Sequence, residues 1–206
     1  MWPPTEKTLL LLNNAQQGDN DAVNLLLERH RDALRRMVDM RIDKAIARRI
    51  DASDIVQDVL IEANRRLKNY DGSIPFHLWL RQLAKDRLID MHRKHRVAQK
   101  RSVDREASLS RMYADQSSIQ LAEQLKDMEL TPAAATIRKE LEERFLVAID
   151  QLKEEDREII LMRHYEQLGN QEVAQTLDIS PQAASMKLLR ALQKLRTILG
   201  EHPSLP

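Results

Sequence analysis

Apolar residues recur at intervals of three or four along most of the chain, the spacing that places them on one face of an α-helix. A first helix is predicted from about Thr5 to Gln17, ending at Gly18, because glycine tolerates the left-handed backbone that often closes a helix. Asp19 is placed to cap a second helix. Ser53 is placed to cap a third, over 54–67.

A turn at 69–73 follows, and Pro75 is well placed to open a fourth helix that ends in the basic residues 92–96. The apolar pattern then weakens over 97–130, where serine, glutamine and charged residues predominate. Such a composition is typical of a flexible linker, with room for short helices.

The helical pattern resumes at Thr131-Pro132 and predicts helices to 151, over 154–168, over 171–177 and over 181–199. The predicted fold class is therefore all-α, with two small helical domains joined by a flexible linker. The expected bounds are 1–96 for the first domain, 97–130 for the linker and 131–206 for the second domain.

Composition excludes several classes of protein. The 206 residues include no cysteine, which rules out disulfides, cysteine-ligated zinc and thiol catalysis. No apolar run approaches the roughly 20 residues that a membrane span needs, and the N-terminus lacks the pattern of a signal peptide. We expect a cytoplasmic protein without membrane insertion.

The net charge of +1 hides an uneven distribution. Residues 81–105 carry nine Lys or Arg against three acids, whereas 123–158 carry eleven acids against six bases. Residues 185–196 carry four bases and no acid. Two basic segments separated by an acidic one favour two separate polyanion contacts over a uniformly solvated surface.

The segment 170–190 has the pattern of a helix-turn-helix. Asp178 stands where a left-handed backbone is usually needed, and Ser180-Pro181 is placed to cap and start the second helix. On the outer side of that helix, Gln182 can form hydrogen bonds with adenine. The cations of the same helix can bind phosphates or guanine, and they are Lys187, Arg190 and Lys194. The alternative is an ordinary helical hairpin. Met186 and Leu189, on the same side, are less typical of base readers and suit a partner protein.

The third helix carries polar residues on one face, opposite apolar ones. The polar set is Asp54, Gln57, Asp58 and Glu62, and the apolar set is Ile55, Val59 and either Ile61 or Ala63. From the residues alone this face is either solvated or an acidic patch for a basic partner.

Four motifs, in order, resemble bacterial sigma factors of the extracytoplasmic-function group. Residues 15–22 look like the family's opening, and Asp54-Ile-Val-Gln-Asp-Val59 resembles its polymerase-docking helix. Phe76–Arg93 is similar to its helix for the −10 element. The helix-turn-helix resembles its −35 domain, and 188–196 is similar to the end of that domain. The resemblance covers about 9–96 and 133–199.

The resemblance implies a factor, not an enzyme, that binds core RNA polymerase, promoter DNA and an anti-sigma factor, with no cofactor and no metal. The residues that contact core polymerase would be Asp54, Gln57 and Asp58. A flipped −10 base would be captured by residues of the turn: Asn69, Tyr70, Asp71 and Ser73. The single strand nearby would be held by five basic residues: Arg81, Lys85, Arg93, Lys94 and Arg96. The −35 surface would comprise Glu172, Gln182, Ser185, Met186, Lys187 and Arg190.

Some residues depart from the family pattern or admit two roles. Asp86 stands where asparagine is frequent, and Ser185-Met186 stands where Lys or Thr with Ser is frequent, which affects promoter choice. Trp79 and Tyr70 fit either a base stack or the core.

Two other functions compete. A helix-turn-helix regulator with an effector domain would bind promoters tightly without polymerase. A helical protein that sequesters a sigma factor would leave the basic residues near Arg93 unexplained. A further hypothesis has the acidic residues Glu140, Glu142 and Glu143 fold against 93–96 and keep that helix off DNA.

Overall fold

The computed structural model describes residues 2–42, 51–102 and 144–201, with side chains at 2–42, 51–94 and 144–200. These residues form two compact units, one on each side of 103–143, and every regular element in the described ranges is helical. The predicted all-α class with two helical domains is confirmed. Most of the predicted linker, as well as Glu140, Glu142 and Glu143, lies outside the described residues, so the bounds at 96 and 131 stay predictions.

The first unit contains helices α1 (Thr5–Gln16), α2 (Asn20–Asp39), α3 (Ala52–Arg66) and α4 (Phe76–Ser102), with a 3₁₀ turn at Leu67–Asn69 after α3. Each helix contacts the next, and α2 also contacts α4. The apolar faces meet in one core, in which these side chains are at most 1% exposed: Leu26, Leu34, Ile55, Ala63 and Leu80.

Local chemistry sets the helix ends. Gly18 has φ 97°, as its predicted role at the end of α1 requires. The Asp19 carboxylate caps α2 by accepting hydrogen bonds from the N–H groups of Asp21 (2.9 Å) and Ala22 (3.0 Å). The expected cap of α3 at Ser53 is wrong. The helix begins earlier, at Ala52, and Asp51 caps it by accepting from the Ser53 N–H at 2.8 Å.

Helix α4 is longer than predicted. It continues through the basic residues 92–96 to Ser102, six residues into the segment assigned to the linker. Neither glycine nor proline interrupts these residues, and lysine, arginine, glutamine and alanine all favour helix.

The second unit contains a helix over 144–150 (α5), α6 (Glu154–Ile160), α7 (Asn170–Leu177) and α8 (Pro181–Glu201). Helix α6 continues as a π-helical turn over Leu161–Tyr165. It stops short of the predicted 168 because Gln167 takes a left-handed conformation (φ 57°). Helix α8 contacts both α6 and α7.

The connection between α7 and α8 is the predicted helix-turn-helix turn. Asp178 is left-handed, with φ 53° and ψ 49°. The Ile179 N–H donates to the Ala174 carbonyl at 3.0 Å, and Ser180 Oγ accepts from the Ala183 N–H at 3.1 Å. The predicted roles of Asp178 and Ser180 are confirmed.

Candidate functional site

The outer face of α3 presents three of the residues that the sequence singled out. Asp54, Gln57 and Asp58 are all exposed. Ile61 is 45% exposed and lies on the same face, since positions i, i+3, i+4 and i+7 of a helix are neighbours. Of the two candidates for the inner face, Ala63 is the buried one, at 0% exposure. We call Asp54, Gln57, Asp58 and Ile61 the α3 face.

An ion pair joins the α3 face to α4. Arg87 Nη2 donates a hydrogen bond to Asp58 Oδ2 across 29 positions of sequence. The Arg87 side chain is 37% exposed and that of Asp58 is 46% exposed, so water competes for the pair. Arg87 did not stand out in the sequence because only the packing of α4 on α3 brings it to Asp58.

The turn after α3 has an exposed tip. Asn69, Asp71 and Ser73 lie at the surface, and Asp71 Oδ1 accepts from the Ser73 N–H at 2.9 Å. That hydrogen bond is the main cause that lowers the pKa of the Asp71 carboxyl. Gly72, between them, has φ 74°, a conformation that favours glycine. The tip thus offers hydrogen-bonding groups on a locally ordered backbone.

Tyr70 faces the interior, unlike its neighbours in the turn. It is 8% exposed, and its hydroxyl donates to the Ile74 carbonyl at 2.5 Å. Its ring centroid lies 5.5 Å from that of Phe76 and 5.1 Å from that of Trp79. The sequence-based expectation that Tyr70 contacts DNA therefore requires correction. The ring is buried in an aromatic cluster and supports the turn from inside, and Trp79, half-buried, packs against the core beside it.

The cations predicted on α4 divide between surface and core. Lys85, Arg93 and Lys94 are exposed, and Arg93 lies 3.6 Å from the Asp90 carboxylate. Arg81 is only 1% exposed, which corrects its expected contact with a strand. Its helical position, one turn before buried Ala84, directs it inward. The Arg96 side chain lies outside the described residues.

Several of the residues predicted for the −35 surface lie on the exposed side of α8. Gln182, Ser185, Met186 and Arg190 are exposed. Met186 and Leu189 are each 49% exposed, although both are large and apolar. The Ser185 hydroxyl donates to the Pro181 carbonyl at 3.1 Å, which uses its proton within the helix. We call Gln182, Met186, Leu189 and Arg190 the α8 face.

Two lysines of α8 are engaged with α6. Lys187 Nζ lies 2.7 Å from Glu155 Oε2, and this hydrogen bond is the main cause that lowers the pKa of Glu155. Lys194 Nζ pairs with Asp156, whose side chain is 10% exposed. The predicted role of these lysines as DNA contacts must allow for the carboxylates they already bind.

The carboxylate of Glu172 has a local partner as well. Its Oε2 accepts from the Gly169 N–H at 2.6 Å, which caps the start of α7. Asn170, which the sequence did not single out, donates from Nδ2 to the Pro181 carbonyl at 2.9 Å. This bond fixes the first turn of α8 against the first turn of α7.

None of the described helices combines the length and the hydropathy that a membrane span needs.

Two family models match the chain, in the order of its two units. Sigma-70 region 2 matches residues 26–97, and Sigma-70 region 4 matches residues 142–195. The first match contains the α3 face and the turn after it. The second contains the helix-turn-helix.

Curated proteins match over most of the chain. The ECF RNA polymerase sigma-E factor of Haemophilus influenzae is 25% identical over 185 residues, 90% of this chain and 91% of that protein. The RNA polymerase sigma-H factor of Pseudomonas aeruginosa is 26% identical over 191 residues, 92% of each.

Solved structures share the fold. A complex of CnrH with the cytosolic domain of CnrY contains a chain with a TM-score of 0.62 and 21% identity, covering 95% of this chain and 99% of that one. The sigma factor RpoE of Bartonella quintana, in complex with the anti-sigma factor NepR, gives a TM-score of 0.57 and 18% identity, covering 86% and 94%.

Proposed function

The chain belongs to the sigma-70 family, as a sigma factor of the extracytoplasmic-function type, and from this we propose how its residues divide the work. It is a non-enzymatic factor that joins core RNA polymerase and directs promoter-specific initiation of transcription. The observation that carries the assignment is the pair of matches, region 2 on the first unit and region 4 on the second. We assign domain 1–96 to docking and the −10 element, and 131–206 to the −35 element, with 97–130 as the linker, whose first six residues continue α4.

The α3 face is the proposed contact with core polymerase. Asp54, Gln57 and Asp58 offer two carboxylates and an amide to a basic partner, and Ile61 adds exposed apolar area to the same face. Exposed charges chiefly speed and orient association, whereas a central apolar side chain slows dissociation. The docking surface proposed here is therefore mixed rather than purely acidic.

The turn after α3 is the proposed site of −10 base capture. Asn69, Asp71 and Ser73 present polar groups at its tip, and Lys85, Arg93 and Lys94 on α4 supply exposed cations for the strand. A flipped base costs a few kcal/mol to extract, so the receiving surface must already be shaped. The buried ring of Tyr70 supports that shape. Arg96 belongs to the same proposal by its position on α4.

The α8 face is the proposed reader of the −35 element. The Gln182 amide suits adenine, and Arg190 suits guanine or a phosphate. Met186, exposed among them, suits the methyl group of a thymine. Ser185 and Glu172 flank this surface, and Lys187 reaches a phosphate only by sharing or leaving the Glu155 carboxylate.

An anti-sigma factor is the proposed regulatory partner, and the cytoplasm the proposed location. Support comes from the similar fold of the RpoE chain, which was solved in complex with its anti-sigma factor NepR. We propose that such a partner prevents initiation by covering the α3 face or the α8 face.

The docking proposal is tested by measuring binding of the full chain to core polymerase by fluorescence anisotropy. We expect the double variant Gln57→Ala, Asp58→Ala to lose at least tenfold in affinity. The matched control is Asp32→Asn, which removes an exposed carboxylate from α2 instead. Wild-type affinity in the double variant would place docking elsewhere on the chain.

A further inference from the structure

We propose that Gln16 of α1 is a positioning residue for the −10 turn, and that it fixes the start of the turn through the backbone of Tyr70. The inference rests on the proposed capture of a base by this turn. It assigns a role in promoter selectivity to a residue outside the segment 26–97 that the region 2 family model matches.

The contact is specific in its geometry. Gln16 Nε2 donates to the Tyr70 carbonyl oxygen at 2.8 Å, across 54 positions of sequence. Tyr70 is the residue at which the backbone leaves the 3₁₀ turn Leu67–Asn69 and becomes extended, with φ −73° and ψ 116°. Its N–H donates to the Leu67 carbonyl at 3.2 Å. The amide of Gln16 therefore binds the chain at the point where the exposed tip begins.

The far end of the tip is anchored separately. The Tyr70 hydroxyl donates to the Ile74 carbonyl, and the Tyr70 ring lies against Phe76 at the start of α4. One residue thus bridges both ends of the tip, with its carbonyl bound to Gln16 and its side chain bound to Ile74. Between these anchors, hydrogen bonds from Ser73 to Asp71 and the conformation of Gly72 shape the exposed residues.

Gln16 is itself well placed to act as a fixed point. Leu12 and Ala15, on the same helix, are buried in the core at 7% and 6% exposure. Gly18 and the Asp19 cap then turn the chain directly into α2. A hydrogen bond from such a rigid element restricts the turn before a base arrives, and that restriction favours one captured geometry over others.

The test separates this role from general stability by the choice of variants. Gln16→Leu removes the donor with little change in size, and Gln16→Glu replaces it with a carboxylate that repels the Tyr70 carbonyl. Gln16→Lys restores a donor of similar reach. Gln17→Leu is the matched control, because the adjacent Gln17 amide reaches Asn13 on its own helix at 3.5 Å.

The measurement uses holoenzyme, assembled from each full-length variant and cognate core polymerase. Single-stranded oligonucleotides carry the −10 strand of a promoter that the wild type transcribes, with an abasic site at each position in turn. For the wild type we expect one position to carry a large affinity penalty. For Gln16→Leu and Gln16→Glu we expect that penalty to shrink by about fivefold, the scale of one hydrogen bond. Gln16→Lys should regain it, and Gln17→Leu should keep it.

Penalties that are identical in wild type and Gln16→Leu would overturn the inference while leaving base capture intact. A uniform loss at every position, or an equal effect of Gln17→Leu, would also overturn it, because either would indicate loss of fold or of docking. A wild-type holoenzyme that shows no penalty at any position would overturn base capture itself, and the inference with it.

Discussion

Arg87 on α4 donates a hydrogen bond to the carboxylate of Asp58 on α3, so a residue of the proposed docking surface is held by the helix proposed to carry the −10 strand. The partner that Asp58 meets on core polymerase must compete with this guanidinium. Because both side chains are more than a third exposed, the competition costs little.

Arg87→Gln should therefore leave core binding unchanged or strengthen it, up to about threefold, since it releases the Asp58 carboxylate. Asp58→Asn should weaken binding, because the carboxylate itself is lost. Anisotropy titrations of both variants at two salt concentrations check this. If Arg87→Gln weakens binding as much as Asp58→Asn does, the ion pair itself is required for docking.

Ile61→Ala should weaken core binding several-fold with a change of less than about 0.5 kcal/mol in stability, because the side chain is exposed in the isolated protein. Leu25→Ala is the control, since Leu25 is 60% exposed and belongs to α2 rather than to the α3 face. Equal losses in the two variants would indicate an unspecific effect of removing apolar surface.

His30 should make the first unit less stable in acid. It is 1% exposed; its Nδ1 binds the Leu26 carbonyl at 2.9 Å, and its buried Nε2 has no hydrogen-bond partner among the described residues. Its pKa is lowered from 6.5 to about 4, chiefly because burial disfavours the charged ring; the Leu26 bond opposes this shift, and nearby His77 and Arg29 contribute to it. The unfolded chain therefore binds a proton at a pH where the folded chain does not.

Above about pH 6.5, His30 does not reduce the free energy of unfolding. As the pH drops from there toward about 4, protonation of His30 in the unfolded chain lowers the free energy of unfolding by roughly 3 kcal/mol. Urea unfolding at several pH values, followed by tryptophan fluorescence, measures it. Both tryptophans, Trp2 and Trp79, lie in the first unit, so the signal reports that unit alone. His30→Leu should flatten the pH dependence; an unchanged slope would assign it to other groups.

The two lysines of α8 should differ in their effects. Lys194→Ala leaves the buried Asp156 carboxylate without its cation and should destabilise the second unit by about 1–3 kcal/mol. Lys187→Ala should alter stability little, because the Glu155 side chain is 80% exposed and water can replace the lysine. Thermal unfolding followed by circular dichroism distinguishes them. Equal destabilisation by both variants would show that Lys187 also stabilises the second unit.

Met186 should detect thymine methyl groups in the −35 element. Replacing thymine with uracil removes only the methyl group, and we expect a two- to fivefold loss of holoenzyme affinity at one position. In Met186→Ala the same replacement should make no difference. Gln182→Ala serves as the control that keeps thymine discrimination. If Met186→Ala discriminates as well as the wild type, the methionine contacts something other than thymine.

Features with local causes could be predicted from the sequence. Asp19 caps α2, and Asp178 and Ser180 shape the helix-turn-helix, because each acts on residues within a few positions. The cap of α3 was misplaced because Asp51 and Ser53 are both good caps, and only the position at which the helix begins decides between them.

Features that depend on tertiary packing could not be predicted. Arg81 and Tyr70 have polar groups typical of a surface, yet the phase of α4 and the aromatic cluster bury them. The partner of Lys187 lies 32 positions away on another helix. Motifs could therefore identify the candidate site, whereas only the fold distinguishes exposed members of a motif from buried ones.

Transcription in vitro with core polymerase tests the central claim most directly. Full-length protein and cognate core polymerase are incubated with a genomic promoter library, and transcript starts are mapped. We expect starts that share one −35 and one −10 sequence, and their loss with the Gln57→Ala, Asp58→Ala variant. Wild-type protein that starts no promoter-specific transcript, or that binds promoters tightly without core polymerase, would contradict the account.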